Sequence, residues 1–325
     1  MVRPVTQIYP GSLHTEGAVP PATAPVPAPT KFQGPGNHTL ARVLKQSARK
    51  ELSSTALLDH TQDPHQSSRR GEGVTVQLPG IRRGSPWGNL EQLFTCDLAG
   101  PVSVALHVES PSKVIAVRAL SKAKADTWLQ VLQQTQHPNV ISAREIFKDH
   151  EMTYFIVDDY PLTLEHLVAC DIFPSELQLA SILVQVLDGL LHLLENNYEH
   201  DALNCPNILL GQDGAIQIAA LEHCVMREPN QSHTKSLRAL ANITMLLMQK
   251  HLKPDGVIGI DSTCWQSEPL EFLSATASVA TVQDLRKHSL LTKHRWSTGT
   301  LAGLARLCLL TTRTFITKPW SQENS

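Results

Sequence analysis

His200-Asp201-Ala202-Leu203-Asn204-Cys205-Pro206-Asn207-Ile208-Leu209-Leu210 is the stretch on which the fold turns. Its polar first half reads as a loop, and Asn207 to Leu210 reads as a short strand. Gly211-Gln212-Asp213-Gly214 supplies turn residues, and Ala215 to Ala219 returns as a second strand, so the two form a hairpin. Upstream, Ser175-Glu176-Leu177-Gln178 has capping-box spacing and opens a long helix. Ile182, Val186, Leu190 and Leu194 line one face of that helix. Leu179, Leu183, Leu187 and Leu191 widen the face, which predicts deep burial. Downstream, Leu237 to Met248 predicts a second apolar helix, with shorter ones over Pro269 to Ala277 and Val282 to Lys287.

Further out on the N-terminal side the pattern changes to strands. Val102 to Val108 alternates, and Lys113 to Leu120 follows the Ser110-Pro111-Ser112 turn. Ala123 to Gln134 reads as a helix that stops before His137-Pro138-Asn139, because a proline disfavours helix in the residue before it. Val140 to Phe147 and Thr153 to Val157 are two more strand candidates. Asp158-Asp159-Tyr160-Pro161 then links this strand-rich part to the helical one, where Leu162 to Ala169 reads as a short helix.

A strand-rich lobe, a link, a long buried helix, a hairpin and more helices is the order of parts in a protein kinase. Several strings resemble kinase motifs in that order. Val114 to Leu120 is similar to the V-A-I-K strand, and His137-Pro-Asn-Val-Ile141 to H-P-N-I-V. Phe155 to Tyr160 resembles the strand that enters the hinge, and His200 to Leu210 resembles H-R-D-x-x-x-x-N-I-L-L. Ile216 to Ala219 is similar to the strand before D-F-G. Glu271-Phe272-Leu273 and Lys287 to Leu291 resemble markers near the domain's end. The character is closest to Ste20-like and fungal kinase-like proteins. The fold class implied is α+β: a bilobal protein-kinase-like fold with a small β-rich N-lobe, a helical C-lobe and a truncated activation segment. The boundaries implied are a disordered Pro/Ser-rich region at 1–88 and a kinase-like domain at 89–292. That domain divides into an N-lobe (89–157), a hinge (158–161) and a C-lobe (162–292), and a tail follows at 293–325.

The resemblance also assigns roles, and most are vacant. Phosphoryl transfer is mostly positioning and charge neutralisation, so each charged part is checkable. The glycine-loop positions fall on Asp97, Ala99 and Val102, with Gly100 out of register. Arg118 stands where the phosphate-holding lysine would be; it keeps the charge but is bulkier and forked. The orienting glutamate's position falls on Trp128 or within one residue of it, with Asp126 as the nearest acid, and a Trp there would pack against the sheet. The catalytic aspartate is Ala202, which has no group to orient a substrate hydroxyl. D-F-G is Ala220-Leu221-Glu222, so the metal-holding aspartate is gone. Asp201 and Glu222 are the available substitute carboxylates. Asn207 is kept, either as a metal ligand or, as favoured here, to fix the loop backbone. Only 13 residues separate Glu222 from Ser236, too few for an activation loop and a peptide platform. No catalytic residue is therefore assigned. Arg118, Asp158, Tyr160 and Asn207 remain as the nucleotide-binding candidates, for ATP with or without magnesium. The functional reading is a pseudokinase acting as scaffold or allosteric regulator in signalling, with protein partners, an active kinase being one candidate. The alternative is an atypical Ser/Thr kinase with ATP binding and weak phosphotransfer.

The 325 residues carry a formal charge of -2, which gives no general reason to expect nucleic acid or an anionic membrane as partner. No run of about 18 apolar residues predicts a membrane span. The six cysteines are scattered with no C-x-x-C pair, so a reducing compartment, the cytoplasm, is expected, and no metal. His200, Cys205, His223 and Cys224 line one cleft in a kinase fold, but their spacing fits no zinc pattern. A Cys205 nucleophile with His200 as base lacks an orienting acid. Prolines 20, 21, 25, 27 and 29 form a polyproline-type run in the N-terminal region. Arg82-Arg83-Gly84-Ser85-Pro86 reads as a phosphorylation string centred on Ser85. In the tail, Leu301, Leu304, Leu307 and Leu310 recur at helical spacing and suit packing on the large lobe or a partner helix.

Overall fold

The computed structural model describes residues 79–314, apart from 229, 262, 263, 294–296 and 298. All of these lie in one unit, Gly71–Ser325. The expected disorder of the N-terminal region and its proline run lie outside the described residues, except for positions 79–88.

The N-lobe is a six-stranded sheet: β1 (Ile81–Arg83), β2 (Leu90–Asp97), β3 (Pro101–His107), β4 (Val114–Ser121), β5 (Glu145–Asp149) and β6 (Met152–Asp158). The spatial order is β1-β5-β6-β4-β3-β2, antiparallel except for the β1–β5 pair. Residues 81–88 thus belong to the folded body, ahead of the boundary expected at residue 89. Helix α1 (Lys122–Gln134) packs Ala125, Trp128, Val131 and Leu132 against the sheet. The strand expected over Val140 to Phe147 starts only at Glu145. Val140 instead bridges to Ile218 of the large lobe, because the preceding Asn139 is anchored there.

The C-lobe is built around α3 (Glu176–Glu195). Its capping box forms as expected: Ser175 Oγ accepts from Gln178 N at 3.3 Å, and Ser175 N donates to Gln178 Oε1 at 2.9 Å. Burial of thirteen of its residues, eleven of them apolar or glycine, offsets the entropy of ordering the chain. By length and composition α3 could cross a membrane, but 72% of its apolar 18-residue window is buried inside the domain, as in a core helix. Around it stand β7 (Leu162–Thr163), α2 (Leu164–Ala169), β8 (Tyr198–His200), β9 (Ile208–Leu210), β10 (Ile216–Ile218), β11 (Cys224–Met226), α4 (Thr234–Gln249), α5 (Ser267–Ser278), α6 (Val282–Arg286) and α7 (Ser289–Thr292). Leu162 and Thr163, expected as helix, pair with β9 instead.

A buried polar knot joins the lobes. Asn139 Nδ2 donates to Gln185 Oε1 at 3.2 Å and to the Ile216 carbonyl at 2.9 Å, and Gln185 Nε2 reaches the Gly214 carbonyl at 3.2 Å. Gly189 on α3 lets this loop come close: a Cβ there would lie 2.5 Å from the Asn139 carbonyl oxygen.

The tail folds too. Helix α8 (Gly299–Thr314) lies on α3 and α2 and buries Leu301, Leu304, Ala305 and Cys308. Leu307 and Leu310 face outward. A spacing of three throughout drifts around a 3.6-residue helix, so the stripe continues through Ala305 and Cys308.

Candidate functional site

The cleft between the lobes is bounded by the β2–β3 turn, β4, α1, the loop from His200 to Asn207 and the segment Ala219 to Glu222. Asp97 pairs with Pro101, so the turn holds only Leu98, Ala99 and Gly100. Ala99 and Gly100 both have positive φ, 58° and 96°, and Gly100 N donates to Asp97 Oδ1 at 3.0 Å. The tight turn is folded inward: Leu98 and Ala99 are buried in the same apolar cluster as Val104, Ala116 and Leu209.

Arg118 is spent on this turn. Its Nη1 donates to the Ala99 carbonyl at 2.8 Å, and its Nη2 to the Leu98 carbonyl at 2.5 Å. The side chain is only 4% exposed. Burial lowers its pKa to about 10, while Glu222 and Asp97 act to raise it. The guanidinium is still charged at neutral pH, and two backbone carbonyls plus nearby carboxylates compensate that charge.

Trp128 is fully buried against Phe155, with ring centroids 4.9 Å apart. Packing against the sheet was expected. The bond beyond it was not: Trp128 Nε1 donates to Glu222 Oε2 at 2.8 Å. Indole N–H is a donor only, so it needs an acceptor when buried. The acceptor comes from the position where D-F-G has glycine. Ala220 before it is left-handed (φ 54°), and Leu221 is fully buried. Helix α1 and the D-F-G counterpart are therefore tied by a donor and acceptor that replace the usual residues at both positions.

Every other candidate is also committed internally. Asn207 Nδ2 donates to the Ala202 carbonyl at 2.8 Å, which is the backbone-fixing role favoured from the sequence. Asp201 points toward α4 and pairs with Lys235 Nζ at 2.5 Å. Asp158 accepts from Arg144 Nε. Tyr160 packs over Gly211, where a Cβ would lie 3.1 Å from its ring, and burial pushes its pKa to about 12. His200 donates from Nε2 to the Ala219 carbonyl at 2.8 Å, and burial lowers its pKa, which keeps the ring neutral. Ser236 Oγ donates to buried Glu199 at 3.3 Å, and Gln231 Nε2 holds the other Glu199 oxygen at 2.7 Å.

Burial pushes the thiols of Cys205 and Cys224 to about 12, so neither is a thiolate at neutral pH. Among the described residues, no group of three or more His, Cys, Asp or Glu side chains converges on a cation-sized site. Two cavities among the described residues lie away from the cleft. One of about 380 Å³ sits between Phe173, Glu176, Met248 and Trp265, and a smaller one lies beside Arg82 and His107.

After β11, which pairs with β8, only residues 227–233 precede α4. The interval is shorter than the sequence suggested, because α4 starts at Thr234, two residues before Ser236.

A β-sheet N-lobe and a helical C-lobe joined through a single link define a protein-kinase fold. Residues 100–239 match the family model of the protein kinase domain. Among curated proteins the chain is similar to cyclin-dependent kinase F-3 of Oryza sativa subsp. japonica, with 28% identity over 133 residues, 37% of this chain and 29% of that relative. The chain thus spans under a third of that relative's length. These findings support the protein kinase superfamily, and the chain carries a protein-kinase-like domain.

Proposed function

We propose that this is a pseudokinase whose cleft is closed by its own side chains, and that it acts by binding other proteins. One observation carries the reading: the residue at the phosphate-binding lysine position, Arg118, is buried and donates to the carbonyls of Leu98 and Ala99. A nucleotide entering the cleft would have to displace that turn and leave a buried guanidinium to find new acceptors, at several kcal/mol. The base position is Ala202, and Asp201, its neighbour, is held by Lys235. Phosphotransfer, the activity in the relative's name, would need both obstacles undone. The scaffold role, partners that include an active kinase, a Ste20-like ancestry and a cytoplasmic setting belong to the same proposal. So does the expectation that neither nucleic acid nor membrane is a partner.

Thermal-shift titration with ATP, with and without Mg²⁺ or Mn²⁺, tests it. A ligand at a hundredfold excess over Kd stabilises by about 2.7 kcal/mol, which for a domain of this size raises Tm by roughly 5 to 10 °C. No shift is expected. A metal-dependent rise would overturn the nucleotide-free reading, and autophosphorylation of wild type against Asn207→Ala would then decide whether the alternative, an atypical kinase with weak phosphotransfer, holds.

A further inference from the structure

The string Arg82-Arg83-Gly84-Ser85 is the single R-R-x-S in the sequence, and it falls on the folded surface. We infer that Ser85 is a phosphorylation site for a second, arginine-directed serine/threonine protein kinase. Ser85 is exposed and its backbone is extended, φ −86° and ψ 143°. Its hydroxyl only accepts a long 3.4 Å bond from Trp87 N, so it is free to present Oγ to another protein. All three residues of β1 are exposed, and the strand sits at one edge of the sheet, paired only with β5. Arg82 is held by Glu145 at 2.8 Å and lies over the Phe147 ring at 5.6 Å, and its side chain is 63% exposed. Surface ion pairs of that kind exchange easily. An extended segment with two guanidiniums two and three residues before a serine offers forked, charged handles to a carboxylate-lined groove. Pro86, which a proline-directed enzyme would read, is buried beneath the surface. The assignment therefore rests on the arginines and not on the Ser-Pro pair.

In the reaction Ser85 Oγ attacks the γ-phosphorus of ATP bound to the second kinase. The bond from that phosphorus to the β–γ bridging oxygen breaks, ADP leaves, and the hydroxyl proton passes to that kinase's carboxylate base. The product places a charge of about −1.5 to −2 beside Arg82 and Arg83, where it competes with Glu145 for Arg82.

The test incubates the full chain with ATP and a constitutively active arginine-directed kinase, reads intact mass, and maps the site by fragmentation. One phosphate per chain on Ser85 is expected, absent in Ser85→Ala. Replacing both arginines with alanine should slow labelling by about tenfold or more, the value of one charge-assisted contact, while Pro86→Ala should not slow it. A free peptide spanning residues 79–90, carrying the same substitutions, guards against a variant that fails to fold. Labelling of the peptide but not the chain would overturn the inference, because the folded surface would then hide the serine. Labelling of neither, labelling lost in Pro86→Ala, or labelling of Ser85 with ATP alone would each overturn it too.

Discussion

Exchanging Trp128 for phenylalanine removes the one side-chain hydrogen bond between α1 and the segment that replaces D-F-G, and its cost can be worked out. The indole Nε1 to Glu222 Oε2 bond of 2.8 Å is charge-assisted, worth about 1.5 to 3 kcal/mol when a partner is deleted. Phenylalanine is smaller by roughly 40 Å³, which adds about 1 kcal/mol at 24 cal/mol per Å³ of cavity. Trp128→Phe should therefore destabilise by about 2.5 to 4 kcal/mol. Glu222→Gln keeps an acceptor oxygen but loses the charge, and it also removes a carboxylate that compensates buried Arg118. Urea denaturation of wild type, both single variants and the double variant forms a closed cycle. A coupling of about 1 to 2 kcal/mol with unchanged m values is the expected outcome. A coupling below about 0.5 kcal/mol would mean that the contact does not tie α1 to the C-lobe, and the case for an internally closed cleft would fall with it.

Three further outcomes follow from the same geometry. Gly189→Ala should cost about 1 to 3 kcal/mol in chemical denaturation despite alanine's better helix propensity, because its Cβ meets the Asn139 carbonyl oxygen at 2.5 Å; an unchanged or raised midpoint would contradict that packing. Asn207→Ala should lose about 1 kcal/mol or more through the orphaned Ala202 carbonyl, whereas Asp201→Ala should lose well under 1 kcal/mol, since its pair with Lys235 is about half exposed; equal losses would put Asp201 back in the cleft. Acid should destabilise the fold: His200 is buried with its pKa lowered below 6.5, so on acidification the unfolded chain takes up the proton first. Stability is then complete above pH 6.5 and falls below it, by up to about 1.4 kcal/mol per pH unit for this one group, and a pH series in which His200→Gln is as steep as wild type would refute the assignment.

Much of the fold could be read in advance because its signals are local. The Ser175/Gln178 capping box, the eight-residue apolar face of α3 and the glycine-bounded hairpin each depend on neighbours in sequence, and each formed. β1 and β2 carry no sequence signal because they are edge strands: only Leu90 of β2 is buried, so no alternation marks them. Ala202 and Ala220, read at the positions of the base and the metal ligand, are matters of spacing, as is the shortened interval before α4. What was not legible was where the replacement groups point. Arg118 reads as a phosphate cation until the three-residue turn brings two carbonyls to it. Trp128 and Glu222 lie 94 positions apart, and each alone looks like a loss. A signal did exist: a donor-only side chain where an acid is usual, and an acid where a glycine is usual, are complementary substitutions. Only their juxtaposition in space shows them to be one feature.

The seating of α8 on α2 and α3 has a consequence for how the protein is made. Leu301, Leu304 and Cys308 complete the apolar surroundings of helices laid down more than a hundred residues earlier. During synthesis the large lobe cannot finish its core until those last side chains have emerged, so its nascent form carries an uncovered greasy seam. Contacts so distant in sequence also form slowly. A recombinant fragment cut at residue 292 would inherit the same open seam permanently, and aggregation in the expressing cell is the expected result.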